Sequence, residues 1–182
     1  MSGTKLKTKI DLVISNAAEV VTCIGEGMED IGVLTNAWIA IKDDKIVGVG
    51  SEDEVKGNFD IDQSDMIDAT GKVVAPGFVD SHTHLVFYGT RVEEYAAKLT
   101  GNDPKKLKKL GITTGPNRTV ELTRNTPEEE LFEQSRKRLQ TMLEYGITTV
   151  ESKSGYGLTT ESEIKILEVS RRLGKETPLD VY

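Results

Sequence analysis

Cysteine occurs once in these 182 residues, at Cys23, and histidine twice, at His82 and His84. A single thiol excludes an internal disulfide and fits a reducing compartment. Basic residues are also scarce, 23 against 30 acidic ones for a formal net charge of −7. That balance speaks against non-specific nucleic-acid binding, which needs lysine and arginine to neutralise phosphates. No apolar run is long enough for a membrane span, and the lysine-rich start lacks the apolar core of a signal peptide. Low-complexity tracts and short repeats are missing as well. A globular protein of the cytoplasm is expected, acting on a small molecule rather than on nucleic acid or membrane, with a homodimer left open.

Hydrophobic residues make up 37% and charged ones 29%, which suits a chain that buries a core. The one basic cluster, Lys105, Lys106, Lys108 and Lys109 beside Pro104, reads as a solvated helix face, with an anion patch as the alternative.

The first third reads as β-structure. Residues 9–23 and 36–51 are rich in valine and isoleucine with partial period-two alternation. Asp43 and Asp44 sit between two such runs, as a tight hairpin turn would. Residues 51–65 are acidic and turn-rich. The run "KVVAPGFVDSHTHLVF", residues 72–87, resumes as a strand broken at Pro76 and Gly77. Its lack of alternation predicts burial on both faces, as in a parallel sheet.

After Arg91 the period changes. Thr126, Pro127 and Glu129 predict a capping-box helix start. Leu131, Phe132, Leu139, Met142 and Leu143 mark its apolar stripe, and Gly146 sits where a helix end wants positive φ. "ITTVESKS" follows as a strand. Thr160 with Glu163 predicts a second capped helix, with Ile164, Leu167 and Leu173 inward and Gly174 at its end. "PLDVY" reads as one more strand. The fold class expected is therefore α/β, a β-rich piece over residues 1–70 followed by βα units over 71–182. A (β/α)₈ barrel needs ~250 residues, so the chain reads as the front part of something longer. An open three-stranded α/β sheet is the alternative, although it leaves bare edges.

On a strand, residues two apart share a face, so Asp80, His82 and His84 are expected to project together near a strand's C-terminal end. In α/β folds that end carries the active site. Two neutral imidazoles on one face can hold one divalent metal ion, zinc or iron, at about 2.0–2.1 Å per Zn–N bond. The competing reading is a hydrogen-bonded histidine pair with no metal. The kinked Pro-Gly before the pair and the small polar residues after it favour the metal, with Asp80 as a supporting group.

"VVAPGFVDSHTHLVF" resembles the first barrel strand of the metal-dependent amidohydrolase superfamily. The preceding β-rich piece resembles part of the composite β-sandwich many of those enzymes carry. "HTHLVFYGTRVEEYAAKLTG" together with "TTVESKSGYGLTTESEIKILEVSRRLG" resembles the imidazolonepropionase family, over most of residues 70–178. The resemblance implies hydrolytic ring opening of 4-imidazolone-5-propanoate to N-formimidoyl-L-glutamate, a step of histidine degradation. It also implies His82 and His84 as two metal ligands, Arg91 as the partner of the substrate carboxylate and Tyr156 as a substrate-binding tyrosine. The chemistry of those residues agrees. Arginine offers a planar two-pronged donor for a carboxylate, and Gly155 and Gly157 let the loop fold sharply around Tyr156. An ion pair of Arg91 with Glu93 or Glu94, and an exposed loop tyrosine, are the alternatives. Lys153 is expected to be an ordinary amine, because the resemblance implies the single-metal branch.

The family's remaining metal and catalytic residues, among them another histidine and an aspartate, would lie beyond residue 182. The 182 residues alone are accordingly expected to be inactive. Residues 113–118 hold only one glycine, Gly115, where the resemblance implies a glycine-rich loop. Another amidohydrolase, such as a deaminase or cyclic amidase, is the nearest rival. A truncated barrel acting only through protein contacts is the rival of a different class.

Overall fold

The computed structural model describes residues 7–101, 106, 109 and 114–182. Of the basic run at 105–109, Lys105, Leu107 and Lys108 lie outside the described residues. Two compact units divide between Pro76 and Gly77.

The first unit contains β1 (Thr8–Lys9), β2 (Leu12–Val21), β3 (Val33–Lys42), β4 (Lys45–Gly50), α1 (Glu52–Asn58), β5 (Phe59–Asp60), β6 (Asp65–Asp68) and β7 (Val73–Val74). Its main sheet is mixed. β3 is antiparallel to both β2 and β4, while β6 and β7 run parallel to β2. Asp43 and Asp44 turn the β3–β4 hairpin with φ of 47° and 60°. Two successive positive φ values match the right-handed twist of the strands they join. Asn16, at φ 56°, bulges β2, and the register shifts between Ile14 and Ala17. The bulge changes the face that β2 buries. Val13 packs with Ile10, Trp38 and Val55, whereas Ala17 and Val20 pack with Ala37, Ile39 and Ala69.

The acidic stretch after residue 51 is a helix where only turns were expected. Ser51 Oγ accepts from the Glu54 N–H at 3.3 Å, and Glu54 Oε2 accepts from the Ser51 N–H at 2.8 Å. This reciprocal box satisfies two groups that a helix start leaves open.

The second unit holds β8 (Phe78–Thr83), α2 (Val92–Leu99), α3 (Pro116–Asn125), α4 (Glu128–Glu144), β9 (Ile147–Ser152), α5 (Thr160–Glu176) and β10 (Asp180–Val181). Its sheet has the order β10-β9-β8, parallel throughout. Leu131, Phe132 and Leu139 of α4, Val150 of β9, and Ile166, Val169 and Leu173 of α5 share one core. Each such aliphatic or aromatic side chain contributes about 1.5–3 kcal/mol by leaving water. Gly146 ends α4 at φ 83°, where a Cβ would be strained.

Local expectations fail where a side chain finds a better partner. Phe78 and Val79 of β8 are 63% and 66% exposed rather than buried on both faces, since β8 pairs only with β9 among the described strands. Thr126 does not cap α4. Its hydroxyl donates back to Leu122 O at 2.7 Å, closing α3. Gly174 lies inside α5, which ends at Thr177 before Pro178. Ile164 and Leu167 are each 50% exposed, whereas Ile166, Val169 and Leu173 are buried. At about 100° per residue, Ile164 falls half a turn away from Leu173, and Ile166 shares its face. Urea unfolding should therefore show a loss of about 2–5 kcal/mol for Ile166→Ala. Ile164→Ala should stay within about 1 kcal/mol of wild type.

Candidate active site

His82 is the penultimate residue of β8, and His84 follows its end. Their ring centroids are 6.1 Å apart and the planes nearly perpendicular at 89°. Asp80 serves the backbone here, its carboxylate accepting from the His82 N–H at 3.3 Å. Next door, Glu151 of β9 brings Oε2 to 3.9 Å from His82 Nδ1, an ion-pair distance too long for a hydrogen bond. Its other oxygen lies 3.5 Å from Lys153 Nζ.

Two atoms distinguish this corner. Among the described residues, His84 Nδ1 and Glu151 Oε2 are the buried side-chain polar atoms without a hydrogen-bond partner. An unmet buried polar group costs roughly 1–3 kcal/mol, so two together mark a place built to meet something else. A Zn–N bond of about 2.1 Å puts each ring centre roughly 3.2 Å from a shared ion, so the 6.1 Å separation lies just inside the limit of about 6.4 Å. The pair fits a divalent cation. It is a partial donor set: among the described residues no group of three or more His, Cys, Asp or Glu side chains is arranged to hold a metal.

Arg91 and Tyr156, far apart in sequence, line one cavity of about 340 Å³ together with Phe87, Thr90, Tyr95 and Thr119. Arg91 stands at the N-cap of α2. Glu94, one of the two acids it could have paired with, gives its carboxylate to Lys98 at 2.8 Å and to the Gly115 N–H at 2.8 Å. Those hydrogen bonds hold the Glu94 carboxyl below its usual range. They also tie Gly115, the one glycine of residues 113–118, to α2. Tyr156 connects the two halves of the site. Its ring lies 5.1 Å from His84, edge-on, and 5.7 Å from Phe87.

Phe87 is held from behind. Arg138 of α4 stacks 3.7 Å over its ring and donates to the carbonyls of Leu85 and Phe87 at 3.1 and 2.9 Å. Burial pulls the Arg138 guanidinium down to about 10, so it stays charged at neutral pH and its stacking persists. Phe87, Arg138, Glu151 and Glu163 had no functional reading from the sequence. For Glu151 a signal existed: it stands two residues from Lys153 on the strand that adjoins the histidines.

A sequence model described as the Amidohydrolase family matches residues 65–110. The imidazolonepropionase of Alkaliphilus oremlandii (strain OhILAs) is 43% identical over 180 residues, covering 94% of this chain and 42% of that protein. The chain resembles the N-terminal portion of imidazolonepropionase. The imidazolonepropionase of Alkaliphilus metalliredigens (strain QYMF) is 44% identical over the same length, again with 94% and 42% covered. The chain thus spans about two fifths of the length of the curated relatives it matches. Among solved structures, a mutant of the atrazine chlorohydrolase TrzN from Arthrobacter aurescens TC1, complexed with zinc and atraton, superposes with a TM-score of 0.52 at 23% identity. It covers 93% of this chain and 34% of that one. That likeness shows the fold alone, sheets flanked by helices.

The loop that carries Tyr156 allows little variation at Gly155, whose φ is 139° and whose added Cβ would meet His84 Cε1 at 3.1 Å. Gly155→Ala should lower stability by about 1–3 kcal/mol in thermal or urea unfolding, through backbone strain alone. The loop is pH-sensitive in one direction. Partial burial pushes the Glu163 carboxyl up, but hydrogen bonds from Leu158, Gly155, Ser154 and Gly157 outweigh it and hold it below its ordinary 4.5. A depressed folded value means the stabilisation is full above the unfolded value and is lost as pH falls through the folded one. Stability measured downward from pH about 5 should therefore drop less steeply in Glu163→Gln than in wild type.

Proposed function

We propose that the chain forms the N-terminal part of an imidazolonepropionase, which opens 4-imidazolone-5-propanoate with water to give N-formimidoyl-L-glutamate. One observation carries the reading: the unpartnered Nδ1 of His84 lies beside the Tyr156 ring, and that tyrosine lines the same cavity as Arg91. An imidazole suited to a cation and a guanidinium suited to a carboxylate thus stand on either side of Tyr156, as a substrate with a reactive ring and a propanoate tail would require. In this reading β8, β9 and β10 are the first strands of a (β/α)₈ barrel, and the first unit is part of a β-sandwich. The protein would work in the cytoplasm.

The metal would be held by His82 and His84, with zinc or iron both suited to imidazole donors. Such an ion lowers the pKa of a water and polarises a carbonyl. Arg91 takes the propanoate carboxylate in a two-pronged, charge-assisted contact. Tyr156 and Phe87 form the wall against which the flat ring lies, and they keep water from its face. Glu151 stands beside His82 on the neighbouring strand and pairs with Lys153, which in this reading stays uncarboxylated. With two imidazoles only, the 182 residues complete no metal site by themselves, and robust turnover of the imidazolone by them would overturn this.

Two measurements test the reading. Zinc titration against a competing chelator, run on a chimaera of these residues with the remainder of the Alkaliphilus oremlandii relative, should show one ion bound, with affinity falling about tenfold or more in His84→Ala. Two ions per chain would contradict the single-metal assignment. The same chimaera, in which these residues replace the matching segment of the relative, supplies the kinetic test. Arg91→Ala should raise its KM about 10–100-fold, the worth of a charge-assisted hydrogen bond. An unchanged KM would sink the role of Arg91.

A further inference from the structure

Glu163 occupies the first turn of α5 yet does not complete that helix's cap. The cap is Thr159, whose hydroxyl accepts from the Ser162 N–H at 3.3 Å. The Glu163 carboxylate reaches back over the preceding loop instead. One oxygen accepts from the Gly155 N–H at 2.7 Å. The other accepts from the N–H groups of Gly157 and Leu158, at 2.8 and 2.6 Å. Three backbone donors within four consecutive residues thus converge on one side chain, and Tyr156 is the residue they enclose.

Backbone conformation shows why such a clamp is needed. Leu158, at φ 53°, holds a left-handed conformation that a residue with a Cβ rarely adopts unaided, while Gly155, at φ 139°, takes one open to glycine. A second brace comes from α3: Arg124 donates through Nε to the Gly157 carbonyl. What the clamp holds in place is chemical. Gly155 lies beside the His84 imidazole, so that an added Cβ would fall 3.1 Å from its Cε1, and the Tyr156 ring meets the same imidazole edge-on with centroids 5.1 Å apart.

We propose that Glu163 is a positioning residue of the site, its one carboxylate fixing both the aim of Tyr156 into the cavity and the packing that orients His84. The inference rests on the functional reading for its consequence in binding, while its geometry stands without it. A glutamine at this position is the sharpest test, because it is isosteric but offers one acceptor oxygen where the loop needs two. Its amide NH₂ would face a backbone N–H, and part of the clamp would open.

The experiment is amide hydrogen exchange by NMR on the full chain, with neither metal nor substrate present. In Glu163→Gln, exchange at Gly155, Gly157 and Leu158 should accelerate roughly tenfold or more, while Val150 and Val169 in the core stay within about twofold. The nuclear Overhauser contact between the His84 and Tyr156 rings should weaken in the same sample. Glu163→Ala should show the same local pattern more strongly. Retained protection across the loop in both variants would overturn the proposal. Equal acceleration at Val150 and Val169 would overturn it too, by making Glu163 a general prop of the fold. Because no ion or substrate enters the measurement, a failed hydrolysis assay would leave this result standing, and the converse holds.

Discussion

Running β8 alongside β9 in the same direction puts the C-terminal ends of both strands at one edge, and every reactive group of the site follows from that. His82 and His84 come off the end of β8, and Glu151, Lys153 and the Tyr156 loop come off the end of β9. The Lys153 N–H donates to the Thr83 carbonyl at 2.8 Å, a hydrogen bond that extends the ladder to the point where the histidines begin. An antiparallel pairing would have sent the two sets to opposite ends. Parallel strands need helical crossovers, and the helices that supply them, α4 and α5, bury the apolar faces that make up the core. Position of the chemistry and stability of the unit therefore share one cause.

The sequence made the strands and the apolar helix stripe legible because burial repeats at fixed intervals. Leu131, Phe132 and Leu139 are buried as their spacing predicts, whereas Leu143, at the end of the expected stripe, is exposed. It was less legible wherever a polar side chain had two possible partners. Thr126 could cap the helix after it or close the one before it, and the nearby Leu122 carbonyl wins. Glu163 could complete a capping box or take three loop N–H groups, and three charge-assisted bonds outweigh one. In α5, Ile164 and Leu167 read as core by type alone. The face is set by Leu173 and its partners at four and seven residues' distance. Such choices depend on what lies across space, and local spacing carries no record of it. The same holds for Arg91 and Tyr156, whose shared cavity exists only after α2 and the loop are brought together.

Three charged side chains in the second unit are each partnered in a way that fixes something uncharged. Arg138 pins the carbonyls of Leu85 and Phe87 and so sets the aromatic wall. Glu94 pins Gly115 to α2. Lys165 donates to the carbonyls of Thr123, Arg124 and Thr126 at 3.1, 3.0 and 2.9 Å, closing the open end of α3 against α5. Hydrogen bonds from a charged group to backbone are worth about 1.5–3 kcal/mol each, so these three side chains rigidify their surroundings more than surface ion pairs would.

The two histidines are not equivalent within this frame. His82 is 69% exposed and has only its own Asp80-anchored backbone and the edge of Glu151 to direct it. His84 is half-buried beside Gly155 and Tyr156, with its Nδ1 out of water. A half-buried imidazole held by packing loses less entropy when it takes a ligand than an exposed one, which must be ordered. In the proposed metal site His84 therefore provides the fixed donor and His82 the one that closes on the ion. Whatever holds His84 sets the affinity for the pair. In that site the loop, and the carboxylate that clamps it, would govern an ion they do not touch.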